Sequence, residues 1–237
     1  MTKPNQINFG GFVPLSTVDW RGRSVCVVFF RGCPIQCWYC HNKNILTGAD
    51  RRDTAEIMNQ IRSSSLLISA VIFSGGEPTM QPEALGYLAE NSKNIGLSTG
   101  IHTNGVFPEV IRNLIEKGLI DHVALDVKAE WNLYTIRGKE RAVGNQVKES
   151  LAVCTSAFHT GTLPEFEVVV TLFPGYGEEI ITIAHDIAPD VDLVLQQGFF
   201  TGIRPLAMQE LQKIADLLNR PVRIRTKDEG EIRYGWN

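Results

Sequence analysis

Six times along the chain, a short run of β-branched and aromatic residues gives way to a stretch with helical spacing. The runs fall at 24–30 (SVCVVFF), 70–74 (AVIFS), 96–102 (GLSTGIH), 121–127 (DHVALDV), 166–172 (FEVVVTL) and 191–196 (VDLVLQ). The helical stretches fall at 53–62, 81–91, 108–117, 144–156, 177–187 and 206–219. Pro82, Pro108 and Pro205 sit near helix starts, where a missing N–H costs least. Strand–helix alternation of this kind predicts parallel strands with helices packed outside. Six repeats predict an α/β protein: a partial (β/α)6 TIM-like barrel of parallel strands with outer helices. An open, doubly wound sheet is the alternative.

A last strand-like piece, PVRIRT at 221–226, precedes a polar tail ending YGWN. No low-complexity linker and no break in composition interrupts the 237 residues. That predicts one domain over 1–237, with a cysteine-bearing loop at 31–42 and a C-terminal strand and tail at 221–237. A hydrophobic share of 43% is enough for a sizeable core.

The net charge of -3 argues against a nucleic-acid partner, which calls for a basic face. No stretch approaches the length of a membrane-spanning helix, and the polar start MTKPNQ does not read as a signal peptide. The expectation is a cytoplasmic protein that engages neither membrane nor nucleic acid.

Five cysteines are too few and too clustered for a disulfide framework. Cys26 and Cys154 lie in apolar runs and read as small buried hydrophobes. The other three, Cys33, Cys37 and Cys40, form C-x3-C-x2-C just after the first strand. Thiolates bind zinc or iron–sulfur clusters tightly. Structural zinc calls for a fourth ligand, and the neighbouring His41 is awkwardly placed to share a tetrahedron with Cys40. A [4Fe–4S] cube held by three cysteines keeps one iron without a protein ligand, where a small molecule can sit. A zinc-binding cysteine module that only binds a partner is the non-enzymatic alternative.

C-x3-C-x-aromatic-C followed by His-Asn resembles the radical S-adenosylmethionine (SAM) superfamily. The resemblance implies a [4Fe–4S] cluster on Cys33, Cys37 and Cys40, with Tyr39 beside the cofactor. It implies that SAM is cleaved to a 5′-deoxyadenosyl radical, which abstracts hydrogen. FSGGEPTMQP at 73–82 is similar to the family's GGE motif, which implies that Gly75, Gly76 and Glu77 meet the SAM amino group. Two glycines also let a backbone approach a ligand closely.

HTNG at 102–105 resembles the TNG segment of glycyl-radical-enzyme activases, which implies that Thr103 and Asn104 lie near SAM. LDVK at 125–128 is similar to their Asp-x-Lys, which implies cofactor contact for Asp126 and Lys128. Alternation along a strand puts those two on one face. Thr171 and Gln196 fall at later strand ends and complete the implied cofactor set. LSTVDWRGRSVCVVFFRGC resembles the activase segment that leads into the cluster loop. That places Asp19, together with His102, at the substrate site.

The sequence departs from that pattern in places. His102 stands where pyruvate formate-lyase activase often has Asp, which helps hold a monovalent cation there. The Gly-Pro-Gly turn reads Trp20-Arg21-Gly22, and Glu167 and Val169 stand where some activases place Arg. The activase resemblance implies a glycyl radical enzyme as protein substrate and a flavodoxin or ferredoxin as electron donor. The departures motivate a second reading, a small-molecule enzyme acting on a deazapurine or nucleotide precursor. Trp38 is expected to shield the cluster. His122, His159 and His185 read as structural. QGFFTGIR at 197–204 reads equally as a cavity wall, an access loop or a packed turn.

Overall fold

The computed structural model describes residues 6–35, 37–128, 135–136 and 139–236. Gln36 of the cysteine loop, residues 1–5 and Asn237 of the tail lie outside them. In chain order the strands are β1 (Gln6–Ser16), β2 (Val25–Phe30), β3 (Arg51–Asp53), β4 (Ala70–Gly75), β5 (Ser98–Thr103) and β6 (His122–Val127). They continue as β7 (Thr135–Ile136), β8 (Lys139–Ala142), β9 (Glu165–Leu172), β10 (Asp192–Gln197), β11 (Val222–Thr226) and β12 (Gly230–Tyr234). The helices are α1 (Thr54–Ser64), α2 (Pro82–Asn94), α3 (Pro108–Glu116), α4 (Gly144–His159), α5 (Gly177–His185) and α6 (Met208–Leu217).

The main sheet runs β12-β11-β10-β9-β6-β5-β4-β2-β1-β3. From β2 to β11 every neighbouring pair is parallel, and each is joined through one helix. The order never reverses, so the doubly wound alternative does not hold. The chain is six β/α units plus a closing strand, as the periodicity predicts.

The alternation of side chains sorts the sheet's two faces. One face and the helices form the large core: Val28, Phe73, Leu125, Val168 and Leu195 are buried with Ile57, Leu88, Ile111, Val147 and Leu211. Cys26 and Cys154 belong to that core. Burial pushes the Cys26 thiol up to about 12 and Cys154 up as well, so both are inert small hydrophobes. The barrel interior carries two smaller apolar groups. Trp20 packs with Val25, Val27, Ala70 and Ile72, and Ala124 packs with Val169 and Val194.

Pro82 and Pro108 open α2 and α3 at the first helical position. Pro205 lies ahead of α6, which starts at Met208. Two edges are not foreseen by the strand pattern. β1 pairs antiparallel with β2 and carries register shifts between Phe9 and Gly11 and between Val13 and Ser16. Gly10, Gly11 and Pro14 break its alternation, as bulged edge strands do. At the other edge, β12 folds back antiparallel on β11.

Candidate active site

The loop after β2 is anchored before it reaches its cysteines. Arg31 donates through Nε to the Phe9 carbonyl at 3.1 Å and through Nη1 to those of Asn44 and Thr47, at 2.9 and 3.2 Å. Gln81 ties β1 to the same loop, accepting from the Asn8 N–H at 2.7 Å and donating to the Arg31 carbonyl at 3.1 Å. Beyond this anchor, Cys33, Cys37 and Cys40 line one cavity of about 440 Å³. Tyr39 joins them, with its hydroxyl donating to the Lys128 carbonyl. Among the described residues no three His, Cys, Asp or Glu side chains close around a single metal ion. Three thiols lining a cavity of small-molecule size suit a cluster that keeps one iron open.

The strand ends that follow meet the same cavity. Gly75 and Gly76 lie against the cysteine loop backbone. Gly76 N–H donates to the Phe30 carbonyl and Glu77 N–H to that of Gly32, both at 2.8 Å. A Cβ on Gly76 would fall 2.0 Å from the Gly32 carbonyl oxygen. On Gly75, whose φ is +119°, it would fall 2.5 Å from the Phe30 backbone. Both glycines line the cavity, and their first duty is this loop-on-loop contact.

Glu77 is placed differently from the reading in which its acid meets an ammonium group. Its side chain is fully buried and does not line the cavity. Its carboxylate accepts from Thr79 N–H and hydroxyl, from Thr103 Oγ1 at 2.7 Å and from Asn104 N–H at 2.8 Å. Burial holds its pKa above the usual carboxylate range against these donors. Glu77 therefore pins the loop after β4 to the loop after β5. Asn104, so fixed, directs Nδ2 to the Cys33 sulfur at 3.6 Å. N–H donors to sulfur are one lever on a cluster's potential.

Asp126 and Lys128 share the inner face, as alternation requires, and pair with each other. The second Asp126 oxygen is buried without a partner among the described residues. Thr171, Gln196, Asp19 and His102 line the same cavity. His102 donates through Nε2 to the Asp19 carbonyl at 2.8 Å.

The sequence-level model of the radical SAM superfamily matches residues 27–187. The chain belongs to the radical SAM superfamily. A candidate glycyl-radical enzyme activating enzyme of Methanocaldococcus jannaschii is 40% identical over 142 residues, which is 60% of this chain and 58% of that protein. The 7-carboxy-7-deazaguanine synthase of Thermococcus kodakarensis is 26% identical over 130 residues, 46% of this chain and 51% of that one. The chain thus spans a little over half the length of these curated relatives. QueE from Escherichia coli shares the fold, with a TM-score of 0.56 at 14% identity over 94% of each chain.

Radical SAM proteins work with a [4Fe–4S] cluster and S-adenosylmethionine, and the residues here fit both. Burial pushes Cys33 up to about 12 and Cys37 above its ordinary value. Such thiols ionise only when a metal takes the charge. The unpartnered Asp126 oxygen offers an acceptor inside a cavity of small-molecule size.

Trp20 does not reach the site. It is buried in the barrel interior, stacks on His122 with ring centroids 4.7 Å apart, and donates to Glu165 at 2.7 Å. Trp38 is half-exposed and packs on Phe173 and Phe200 at centroid distances of 4.7 and 5.1 Å. QGFFTGIR is partly wall, since Gln197 and Phe199 line the cavity. Arg225, Thr226 and Lys227 line it too and were missed. Their signal was available: PVRIRT is strand-like, and strand ends bear the site.

Proposed function

We propose that this radical SAM protein generates a glycyl radical on a partner enzyme of the anaerobic ribonucleotide reductase or pyruvate formate-lyase type. One observation carries the reading. The three thiols line a single cavity with Asp126, Lys128, Thr171, Gln196, Val18 and Asp19. When bound there, the cluster and SAM supply a 5′-deoxyadenosyl radical through one-electron reduction.

The chain's own residues have separable tasks. Cys33, Cys37 and Cys40 hold the cluster. Gly75, Gly76, Thr103 and Asn104 shape the cofactor's bed, and Glu77 fixes their loops. Lys128 offers its ammonium group to a carboxylate, and Asp126 accepts a hydrogen bond. Tyr39 and Thr171 contact the cofactor, Gln196 stands where cofactor and substrate meet, and Asp19, held by His102, meets the substrate. A partner's glycine loop enters past Val18, which is exposed at the rim. A flavodoxin or ferredoxin supplies the electron, in a cytoplasm kept free of oxygen. Residues 1–237 belong to one radical SAM domain. The likeness to an activating enzyme at 40% identity supports the glycine as hydrogen donor.

The test is anaerobic incubation of reduced protein, SAM and candidate glycyl radical enzymes from neighbouring genes, read by EPR. A glycyl doublet is expected, and its absence with every such partner overturns the assignment. The likeness to 7-carboxy-7-deazaguanine synthase supports the second reading, a small deazapurine or nucleotide precursor as hydrogen donor. Deuterium passing from such a substrate into 5′-deoxyadenosine would favour it.

A further inference from the structure

The family match ends at residue 187, ahead of β10, β11 and β12. These elements still supply Gln196, Gln197, Phe199, Arg225, Thr226 and Lys227 to the cavity. Their polar groups are held in a definite order. Glu231 of β12 accepts from Arg225 Nε at 2.9 Å and pairs with its Nη2 at 2.8 Å. It also meets Arg223 at 2.9 Å and Arg21 at 3.3 Å. The remaining Arg225 nitrogen, Nη1, donates to Gln196 Oε1 at 3.3 Å.

A guanidinium has donors only, so the Gln196 atom facing it is the oxygen. The Gln196 amide is thereby oriented, and its NH2 is left to donate. No acceptor for it is found among the described residues. Arg225 is neutralised by Glu231, with Glu167 at 3.6 Å, so it adds little net charge to the wall.

Lys227 does add charge. Its backbone N–H is fixed by Gln197 Oε1 at 3.0 Å, and its ammonium lies 5.7 Å from the Phe199 ring centroid. No carboxylate among the described residues pairs with it. Asp228 and Glu229 follow on the exposed turn and do not line the cavity. The wall thus presents an oriented amide donor and an ammonium group.

We propose that Gln196 and Lys227 form a carboxylate-binding subsite for the substrate. Two N–H donors, one of them charged, match the two oxygens of a carboxylate, and such charge-assisted bonds are the stronger kind. The inference rests on the radical SAM reading only in taking this cavity as the place of reaction. The carboxylate can belong to an acidic side chain in a partner peptide or to a free small acid.

The test is isothermal titration of the full chain, reconstituted anaerobically and loaded with SAM. The probes are Ac-Gly-Asp-Gly-NH2 and its neutral counterpart Ac-Gly-Asn-Gly-NH2, with succinate as competitor. Wild type should bind the acidic peptide about tenfold more tightly. Gln196→Glu keeps the bond to Arg225 and removes the donor, so the ratio should fall towards one. Lys227→Met should do the same, and Lys227→Arg should retain the preference. Displacement by succinate identifies a free acid as a sufficient ligand, and its failure to compete assigns the carboxylate to a peptide. Equal affinities in wild type, or a ratio unchanged in both Gln196→Glu and Lys227→Met, would overturn the subsite. 5′-Deoxyadenosine formation by wild type is measured separately. Its absence would remove the radical reading and leave the binding ratio to decide the subsite.

Discussion

His102 donates through Nε2 to the backbone carbonyl of Asp19 at 2.8 Å. This bond joins the end of the third parallel strand to the turn that forms the cavity's rim. It connects two residues 83 positions apart in sequence. His102 is therefore a brace for this turn.

His102→Ala should loosen the turn without unfolding the barrel. One hydrogen bond of this kind contributes about 1 kcal/mol. Amide exchange in residues 17–23 should accelerate while exchange in the core strands stays slow. Unchanged protection in that turn would refute the brace.

Gly76→Ala should disrupt the cysteine loop. The new methyl would lie 2.0 Å from the Gly32 carbonyl oxygen, a backbone atom that cannot rotate away. Iron retained after reconstitution should fall well below the wild-type level. Gly86→Ala is a suitable control, because its added methyl meets nothing within 4 Å.

Trp20→Ala should destabilise the chain by about 3–5 kcal/mol, the range for truncating a buried aromatic. The ring is almost wholly buried among Val25, Val27, Ala70 and Ile72. Denaturant unfolding measures the loss. A change below about 1 kcal/mol would show that the ring does not fill the barrel floor.

Acid should weaken the fold from about pH 6.5 downwards. Burial lowers the His122 pKa from 6.5 to about 3. The neutral ring is thus favoured in the folded state, and the stability it contributes above its ordinary value is lost as pH falls towards 3. Glu167 acts lower in the range. Burial alone would raise its pKa, but the charges of Arg223 and Arg225 bring it to about 2. Its contribution is present above 4.5 and is lost on the way to 2. His122→Phe preserves the stack on Trp20 and removes one titration. Stability of that variant should vary less between pH 6.5 and 4 than in wild type, as thermal unfolding would show.

Much of this arrangement is legible in the residues themselves. The β-branched runs mark the parallel strands because both faces of those strands are covered. Cys33, Cys37 and Cys40 announce a metal site because few other duties ask for three thiols in eight positions. Asp126 and Lys128 follow from simple alternation. What sequence leaves hidden is mostly long-range pairing. Trp20 adjoins Asp19 in sequence, yet the chain turns there and buries the indole among Val25, Val27, Ala70 and Ile72. Glu77 reads like a ligand because it follows two glycines, yet its four donors come from Thr79, Thr103 and Asn104. β1 escapes notice because bulges break its period. Arg225 and Lys227 reach the cavity only because the sheet curves round to bring its last parallel strand beside its first loop.

The most direct test of the central claim is 5′-deoxyadenosine production by the anaerobically reconstituted, reduced protein given SAM. Wild type should carry about four irons per chain and release 5′-deoxyadenosine. Single Cys33→Ala, Cys37→Ala and Cys40→Ala variants should do neither. A colourless, zinc-containing wild type that leaves SAM intact would contradict the account.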